Sequence, residues 1–498
     1  MIRRGLRYLF LVLLLLLVLA VAAELARLAI HRVPAAGGSL TVDLHSPSRF
    51  VNPLLATTDT DQAISALVFR GLVSRNAEGS IIPDLASRWV VTNAGRDYTF
   101  HLRPGVHWQN GWPLTAYDVA FSYGLLKSPS FPLRSRLWDD VEVLTPDPLT
   151  VVFRLAQPDF TFLQQLTMGI VPKGYARSSW PIGSGSYRVT AVTPSTIRLS
   201  ASQPAVRVRE LAFVTSSSPS RQSLSCHDVL GDTLASNVGI ETTRLAGLVL
   251  NTTRLPLAVR EALLGAVAGV WGTTYNPAPV WPLSRRDDLR PSSPAPTNLL
   301  QRAGWRLRGP IWSFHGRTLR VVLAVPRGGE MAAAFGTIVR AWRRLHIGVT
   351  VLDRPFTNLV RTVLYPRSFD AALTDWNFEG QDYNPGSFWA SRALLNLSGL
   401  RDRRVDKLAA ALPLVPDLAA RNTIRAQIGR LVVQDGAGIG LSPEEYRCRV
   451  PARLHAFRVP RLVTDPSGLV AAVPHAYLNT KLALRNPLPL VRKALPKL

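Results

Sequence analysis

The stretch from Asp375 to Trp389, DWNFEGQDYNPGSFW, carries the residue types best suited to holding a ligand. It follows the apolar run Phe369 to Leu373, which reads as a strand. The stretch is therefore expected at that strand's carboxyl end, where open α/β sheets place ligands. Within it, Asp382 has the right chemistry for a cationic group. A carboxylate in a dry cleft gains a charge-assisted hydrogen bond from an ammonium. The competing reading is a solvated Asp-Tyr-Asn turn, in which the same carboxylate only closes a local loop.

Other chemical candidates are weaker. Cys226-His227-Asp228 has the types for a metal or a nucleophile, but no further ligands lie at useful spacing, and a surface turn is expected. Pro181 to Val189, PIGSGSYRV, has the glycines of a phosphate loop. No Lys-Ser/Thr follows, and the next residues are strand-like rather than helical, so a nucleotide site is rejected. No Gly-x-Ser-x-Gly elbow or His-Glu-x-x-His motif occurs, which counts against a secreted hydrolase. The nine histidines are scattered without a metal pattern, and no cofactor is implied.

These residues need a scaffold of alternating elements. Leu40 to Leu44 reads as a strand, and Thr57 to Gly71 as an amphipathic helix capped by Thr58, Asp59 or Thr60. Asp139 to Leu155 holds two strand-like runs, and Phe160 to Leu166 a short helix. Farther on, Tyr275 to Pro296, rich in Pro, Arg and Ser, is expected to be a loop. Leu319 to Val325, Glu330 to Leu345, Val349 to Val351, Thr357 to Leu364 and Phe369 to Leu373 then alternate strand and helix. That is a βαβ pattern with parallel pairing.

At 498 residues the chain exceeds one ordinary core, and 47% hydrophobic residues with 12 Trp can fill two or three. The net charge of +25 is mostly arginine and is scattered, so it reads as solvated surface rather than a polyanion site. No nucleic-acid-binding pattern is present. Arg3, Arg4 and Arg7 precede an apolar run, Tyr8 to Ala23, in the three-part form of an export signal. Cleavage near Ala22 or Ala23 and retention as a single-span anchor both remain open; either places the rest of the chain outside. Pro34 to Ser39 reads as a short linker, and Asn486 to Leu498 as a basic tail broken by prolines. Two cysteines, Cys226 and Cys448, are too far apart for a Cys-x-x-Cys site; they are either one disulfide or two buried thiols.

The most specific pattern runs from Pro83 to Gly124. Trp89-Val90-Val91 and Tyr98 to Leu102 flank the turn residues Asn93-Ala94-Gly95, as in a hairpin, and Thr115 caps a helix with Asp118 at its third position. Pro83, Leu85, Ala86 and Trp89, then Tyr98 to Arg103, Gly105, Val106 and Trp108, then Asn110, Gly111, Pro113, Thr115, Ala116, Asp118, Val119, Phe121 and Ser122 stand in fixed order. This order resembles the signature of the large extracytoplasmic solute-binding proteins of peptide and nickel ABC importers, family 5. Leu299 to Trp305, LLQRAGW, and Pro181 to Val189 resemble further segments of that family, as do Gly247 to Asn251, a strand there, and Leu257 to Val270, a helix; Asp402 to Leu412 and Ala419 to Gln434 resemble two later helices, and Ile439 to Leu441 the strand after them.

The resemblance implies an α/β, two-lobed periplasmic-binding-protein fold with an extra subdomain in the first lobe and the ligand cleft between the lobes. Residues 1–33 are then signal or anchor and 34–247 the first lobe, with the subdomain at about 60–175; 248–444 form the second lobe, and 445–498 return to the first lobe and end in the basic tail. In oligopeptide-binding members an aspartate pairs with the peptide ammonium; Asp382 matches it, followed by Tyr383, and Trp376 matches the preceding tryptophan at an unusual spacing. Tyr446 falls where the chain faces the cleft on its return. The implied function is ligand binding, not catalysis. Short peptides would be the ligands, and importer permease subunits with their cytoplasmic ATPase the partners. A non-peptide solute such as a metal chelate, haem or sugar is the alternative, as is a membrane-anchored sensor. The departure from the family pattern over 190–247 keeps the sensor reading in play.

Overall fold

The computed structural model describes residues 15–20, 30–43, 51–56, 58–76, 79–131, 138–174, 181–214, 224–228, 237–271, 295–327, 332–377, 383–451, 454–457, 462–463 and 473–484. Asp382, most of the apolar run, the greater part of the expected 275–296 loop and the 486–498 tail lie outside the described residues. Among the described residues no helix is long and apolar enough to cross a membrane.

Among the described residues the strands are, in chain order, β1 (Ile30–Ala35), β2 (Ser39–Asp43), β3 (Val73–Arg75), β4 (Ile81–Pro83), β5 (Ala86–Thr92), β6 (Asp97–Leu102), β7 (Val141–Asp147), β8 (Thr150–Leu155), β9 (Tyr187–Val192), β10 (Thr196–Ala201), β11 (Glu210–Val214), β12 (Leu224–Asp228), β13 (Asn237–Leu250), β14 (Arg306–Arg308), β15 (Ile311–Phe314), β16 (Arg317–Thr318), β17 (Arg320–Pro326), β18 (Gly348–Arg354), β19 (Ala371–Asn377), β20 (Gly438–Arg449), β21 (Leu462–Val463) and β22 (Asn479–Leu484). One large sheet, ordered β18-β17-β19-β13-β20-β12-β2-β11-β10-β9, runs through the molecule.

Its two ends are separate lobes. One core gathers buried residues from Leu40 to Leu224 with Cys448, Leu454, Val473 and Ala476 from the returning chain. Two others pack on the far part of the sheet and draw on residues between Leu245 and Leu441. The strands β17, β18 and β19 pair in parallel, as the alternating pattern requires. The four-stranded sheet β5-β6-β8-β7 forms the first-lobe subdomain. Tyr98, Phe100, Tyr123, Trp138, Phe153 and Phe162 meet in its interior, for example as the edge-on Tyr123–Phe153 pair at 5.1 Å.

Local chemistry explains the helix starts. Thr58 accepts from the Asp61 N–H while Asp61 accepts from the Thr58 N–H, a reciprocal cap on the Asp59–Val68 helix. Thr115 and Asp118 do the same for the Ala116–Lys127 helix. Asp118 also accepts from the Lys173 N–H at 2.7 Å, and Ser122 links to Val171, so the signature helix grips the chain where it re-enters the lobe. The glycines of PIGSGS serve close packing. A Cβ on Gly183 would lie 1.8 Å from the Val68 carbonyl oxygen, and one on Gly185 2.3 Å from that of Leu67.

Three expectations are corrected. Pro34 and Ala35, read as the start of a linker, lie in β1, which pairs along its length with β22. Cys226-His227-Asp228 is a strand rather than a turn, because these residues pair with β20 and the start of the same strand, Leu224 and Ser225, pairs with β2. Asp375 and Trp376, expected beyond their strand, lie within β19.

Candidate functional site

The site follows from strand direction. β13 runs from the first lobe into the second, and β20 runs back antiparallel to it. β12 is antiparallel to β20 and so points toward the crossing; β2 and β11, parallel to it, point the same way. From the other side β19 is antiparallel to β13, so it too runs toward the crossing, with β17 and β18 alongside. The carboxyl ends of the parallel strands of both lobes therefore converge on one zone. Asp43, Val214 and Asp228 end the first-lobe strands; Pro326, Arg354 and Asn377 end those of the second. Strand carboxyl ends facing a crevice are the ligand-binding position of open α/β sheets.

The crossing itself is the weak point of the sheet. Glu241 pairs with Glu445, but the next pair is Leu245 with Pro443, so the register slips there. On its other edge β13 pairs with β21 at Glu241 and Thr242, then with β19 from Arg244 onward. The Thr242–Arg244 segment thus changes partners on both edges. Pro443 has no N–H to give to the ladder. A bulge of this kind bends and twists a strand locally, as a hinge requires.

A disulfide stands beside this hinge. Cys448 is disulfide-bonded. Cys226 is the chain's only other cysteine and faces Cys448 across the β12–β20 ladder, so the pair is Cys226–Cys448. It ties the returning strand to the first lobe five residues beyond Pro443.

The sequence-predicted residues are distributed around this zone. Trp376 is the penultimate residue of β19, opposite Leu245 at the register slip. Tyr446 lies in β20 opposite Ile240 on one side and Asp228 on the other. The backbone thus brings both to the crossing. Tyr383 is buried in a second-lobe core, and the Arg425 guanidinium lies 5.6 Å from its ring centroid. Arg425 is completely buried; its Nε donates to the Tyr383 carbonyl at 2.8 Å and its Nη1 to Asn422 at 2.7 Å. The next residue, Asn384, donates to the Ala409 carbonyl and accepts from the Gly386 N–H. The chain following Asp382 is therefore clamped to the Leu418–Gln434 and Arg403–Ala411 helices.

Sequence reasoning, which implied closure of two lobes about crossing strands, missed Arg425 and the register slip in those strands. Arginine in an otherwise amphipathic helix looks solvent-facing, and a strand containing Pro443, Glu444 and Glu445 looks like a loop. The detectable signal for Arg425 was its four-residue spacing from Arg421, which is also buried and holds the Val415 and Pro416 carbonyls. Among the described residues no group of His, Cys, Asp and Glu could hold a metal ion.

Residues 80–204 match the family model for bacterial extracellular solute-binding proteins, family 5, middle region. A probable deoxycholate-binding periplasmic protein, YgiS, of Escherichia coli K12 is 37% identical over 79 residues, 16% of this chain and 15% of the relative. The chain spans a third or less of the curated relatives it matches. The fold matches far more widely. The oligopeptide-binding protein AppA of Bacillus subtilis, solved with a nonapeptide, superposes with a TM-score of 0.70 at 18% identity, covering 90% of this chain and 100% of AppA. NikA of Brucella suis, solved with Fe(III)-EDTA, gives 0.74 at 18% identity over 90% and 100%. These matches bear out the resemblance and the two-lobed periplasmic-binding-protein fold.

Proposed function

We propose that this chain is a family 5 extracellular solute-binding protein, acts as the substrate-binding component of an ABC importer and takes short peptides between its lobes; the matched segment and the fold support this reading. The observation that carries the reading is the convergence of strand carboxyl ends from both lobes on the interrupted ladder at Thr242–Arg244. A ligand seated there touches both lobes only when they close, so binding shifts the population toward closure. A permease would recognise the closed shape, and no chemistry on the ligand is needed. Export through the N-terminal segment places the chain outside the cytoplasm.

A peptide suits the zone because an extended main chain can add to exposed strand ends while its side chains enter wet pockets. Asp382 holds the peptide ammonium; the two residues after it, Tyr383 and Asn384, are tied to Arg425 and to the Ala409 carbonyl. Trp376, Tyr383 and Tyr446 complete the ligand-binding set. Native mass spectrometry of the purified chain, followed by titration calorimetry with a peptide mixture, tests this. Co-purifying short peptides whose affinity falls on Asp382→Ala are expected. A single non-peptide mass would keep the binding role and replace the ligand; peptide affinity indifferent to Asp382→Ala would remove the site assignment.

A further inference from the structure

The end of the second lobe away from the crossing gathers arginines that are dispersed along the chain. β17 and β18 start there side by side, Arg320 opposite Gly348. The small sheet β14-β15-β16 is fastened beside these starts. The Leu319 N–H donates to the Trp312 carbonyl at 2.8 Å, and the Gly348 N–H to the Leu319 carbonyl at 3.0 Å. Trp312 Nε1 donates to the Leu345 carbonyl at 2.6 Å, which ties the same sheet to the end of the Ala332–Arg344 helix. Arg306 Nη1 donates to the Gln301 and Trp305 carbonyls at 3.0 and 3.1 Å, just after the Pro296–Arg302 helix.

Arg302, Arg306, Arg308 and Arg317 on this small sheet and its lead-in are exposed, as are Arg320 at the start of β17 and Arg343 and Arg344 at the helix end. Among the described residues none of them meets a carboxylate. From Pro296 to Leu352 the chain has nine arginines and a single acid, Glu330. Glu330 follows the opposite end of β17, and Asp353, at the opposite end of β18, pairs with Arg327 at 3.4 Å. The Leu257–Trp271 helix, packed against both helices named above, adds Glu261. Among the arginines stand apolar side chains that the lobe leaves uncovered: Leu307 is 45% exposed and Phe314 38%. They share one face of the small sheet, with Arg317 opposite Phe314, while Arg306 and Arg308 flank Leu307 from the other face. The Trp305 ring backs Phe314 at 5.5 Å.

We propose that this end of the second lobe docks on a bilayer of anionic phospholipids, with its arginines on the headgroup phosphates and Leu307 and Phe314 in the layer beneath. Arginines without carboxylate partners complement phosphates, which a guanidinium can grip with two parallel bonds. A soluble polyanion would leave the apolar pair in water, whereas the boundary between headgroups and acyl chains takes it up. The docking face lies at the other end of β17 and β18 from their carboxyl ends. Docking therefore leaves the crossing clear, and it does not depend on which ligand the cleft takes.

The purified full chain is titrated with vesicles of phosphatidylcholine, alone or mixed with phosphatidylglycerol, while amide exchange is followed over residues 306–317. Slowed exchange is expected only with phosphatidylglycerol, and high salt should reverse it. The N-terminal apolar run acts alike in every variant, so it cannot mimic a difference between them. Each cation near an anionic surface contributes about fivefold. Arg308→Gln, Arg317→Gln and Arg343→Gln together should then raise the lipid concentration needed about a hundredfold, with the melt near the parent's. Leu307→Ser with Phe314→Ser should also raise it. Equal protection in the two lipids, or an unchanged titration in the triple variant, overturns the docking face. Protection by inorganic polyphosphate equal to that by the vesicles, or an unchanged titration in the Leu307 and Phe314 variant, overturns the lipid in favour of a soluble polyanion.

Discussion

The Phe160 N–H donates to the Pro413 carbonyl at 2.8 Å, joining the first-lobe subdomain to the second lobe outside the crossing strands. Each side is braced. Tyr98 Oη and the Gly95 carbonyl hold Asp159, the Phe160 ring covers Gly95, and Arg421 fixes the carbonyls just after Pro413. The bond needs no ligand, so it holds the two lobes together in the arrangement the structure shows.

Phe160→Pro removes this donor. A hydrogen bond of this kind is worth about 1 kcal/mol net, and the apparent ligand affinity scales with the closed fraction. Calorimetry should show affinity weakened roughly fivefold with the ligand contacts intact. Unchanged affinity in a folded variant would separate the contact from closure.

The Cys226–Cys448 bond closes a loop of more than two hundred residues. Reduction, or Cys226→Ser with Cys448→Ser, should cost about 2–5 kcal/mol. Denaturant melts with and without reductant measure it, and loss should also free β20 beside the hinge, seen as faster amide exchange at Tyr446 to Arg449.

Asp402, Arg404 and Asp435 make a small pH-sensitive cluster in the second lobe. Arg404 bonds to Asp402 at 2.7 Å and Asp435 at 3.2 Å. The Arg404 hydrogen bond pulls the Asp402 carboxyl down to about 2. Burial, followed by the hydrogen bond to Asp402, pushes Asp435 up to about 6, against the attraction of Arg404 and Arg260. A raised carboxyl stabilises the fold while protonated, so its contribution is lost as pH rises from the ordinary aspartate range through about 6. Asp402 acts oppositely, and its contribution is lost as pH falls toward about 2. Asp435→Asn should therefore raise the melting temperature at neutral pH and give no gain below the ordinary aspartate range. A gain that persists in acid would contradict the assignment.

Gly183→Ala should be severely destabilising, by about 3 kcal/mol or more. The added methyl would overlap the Val68 carbonyl, a backbone atom at the end of a helix that cannot swing away. A melt near the parent's would mean that the 181–185 segment can shift.

Much of the scaffold was legible in the chain because it rests on local rules. Thr58 and Thr115 with acids three residues on cap helices wherever they occur. The alternation from Leu319 onward needs only a periodicity to be read as parallel strands. The order of residues from Pro83 to Ser122 carried the family resemblance. What stayed hidden depends on partners distant in the chain. β13 and β20 are fourteen and twelve residues long, yet only their apolar halves in the second lobe looked like strands. Their polar halves become strands because each has a ladder waiting beside it.

The sequence by itself determined many of the elements, their caps and the carboxylate at Asp382, since these follow from neighbours a few residues away. Only the tertiary structure decided that Cys226 meets Cys448, that Arg425 lies beneath Tyr383, that Phe160 reaches Pro413 and that Ile30 meets Leu484. Each of those contacts joins residues separated by dozens to hundreds of positions. Their energy is realised only after the intervening chain has been ordered, so no local pattern encodes them.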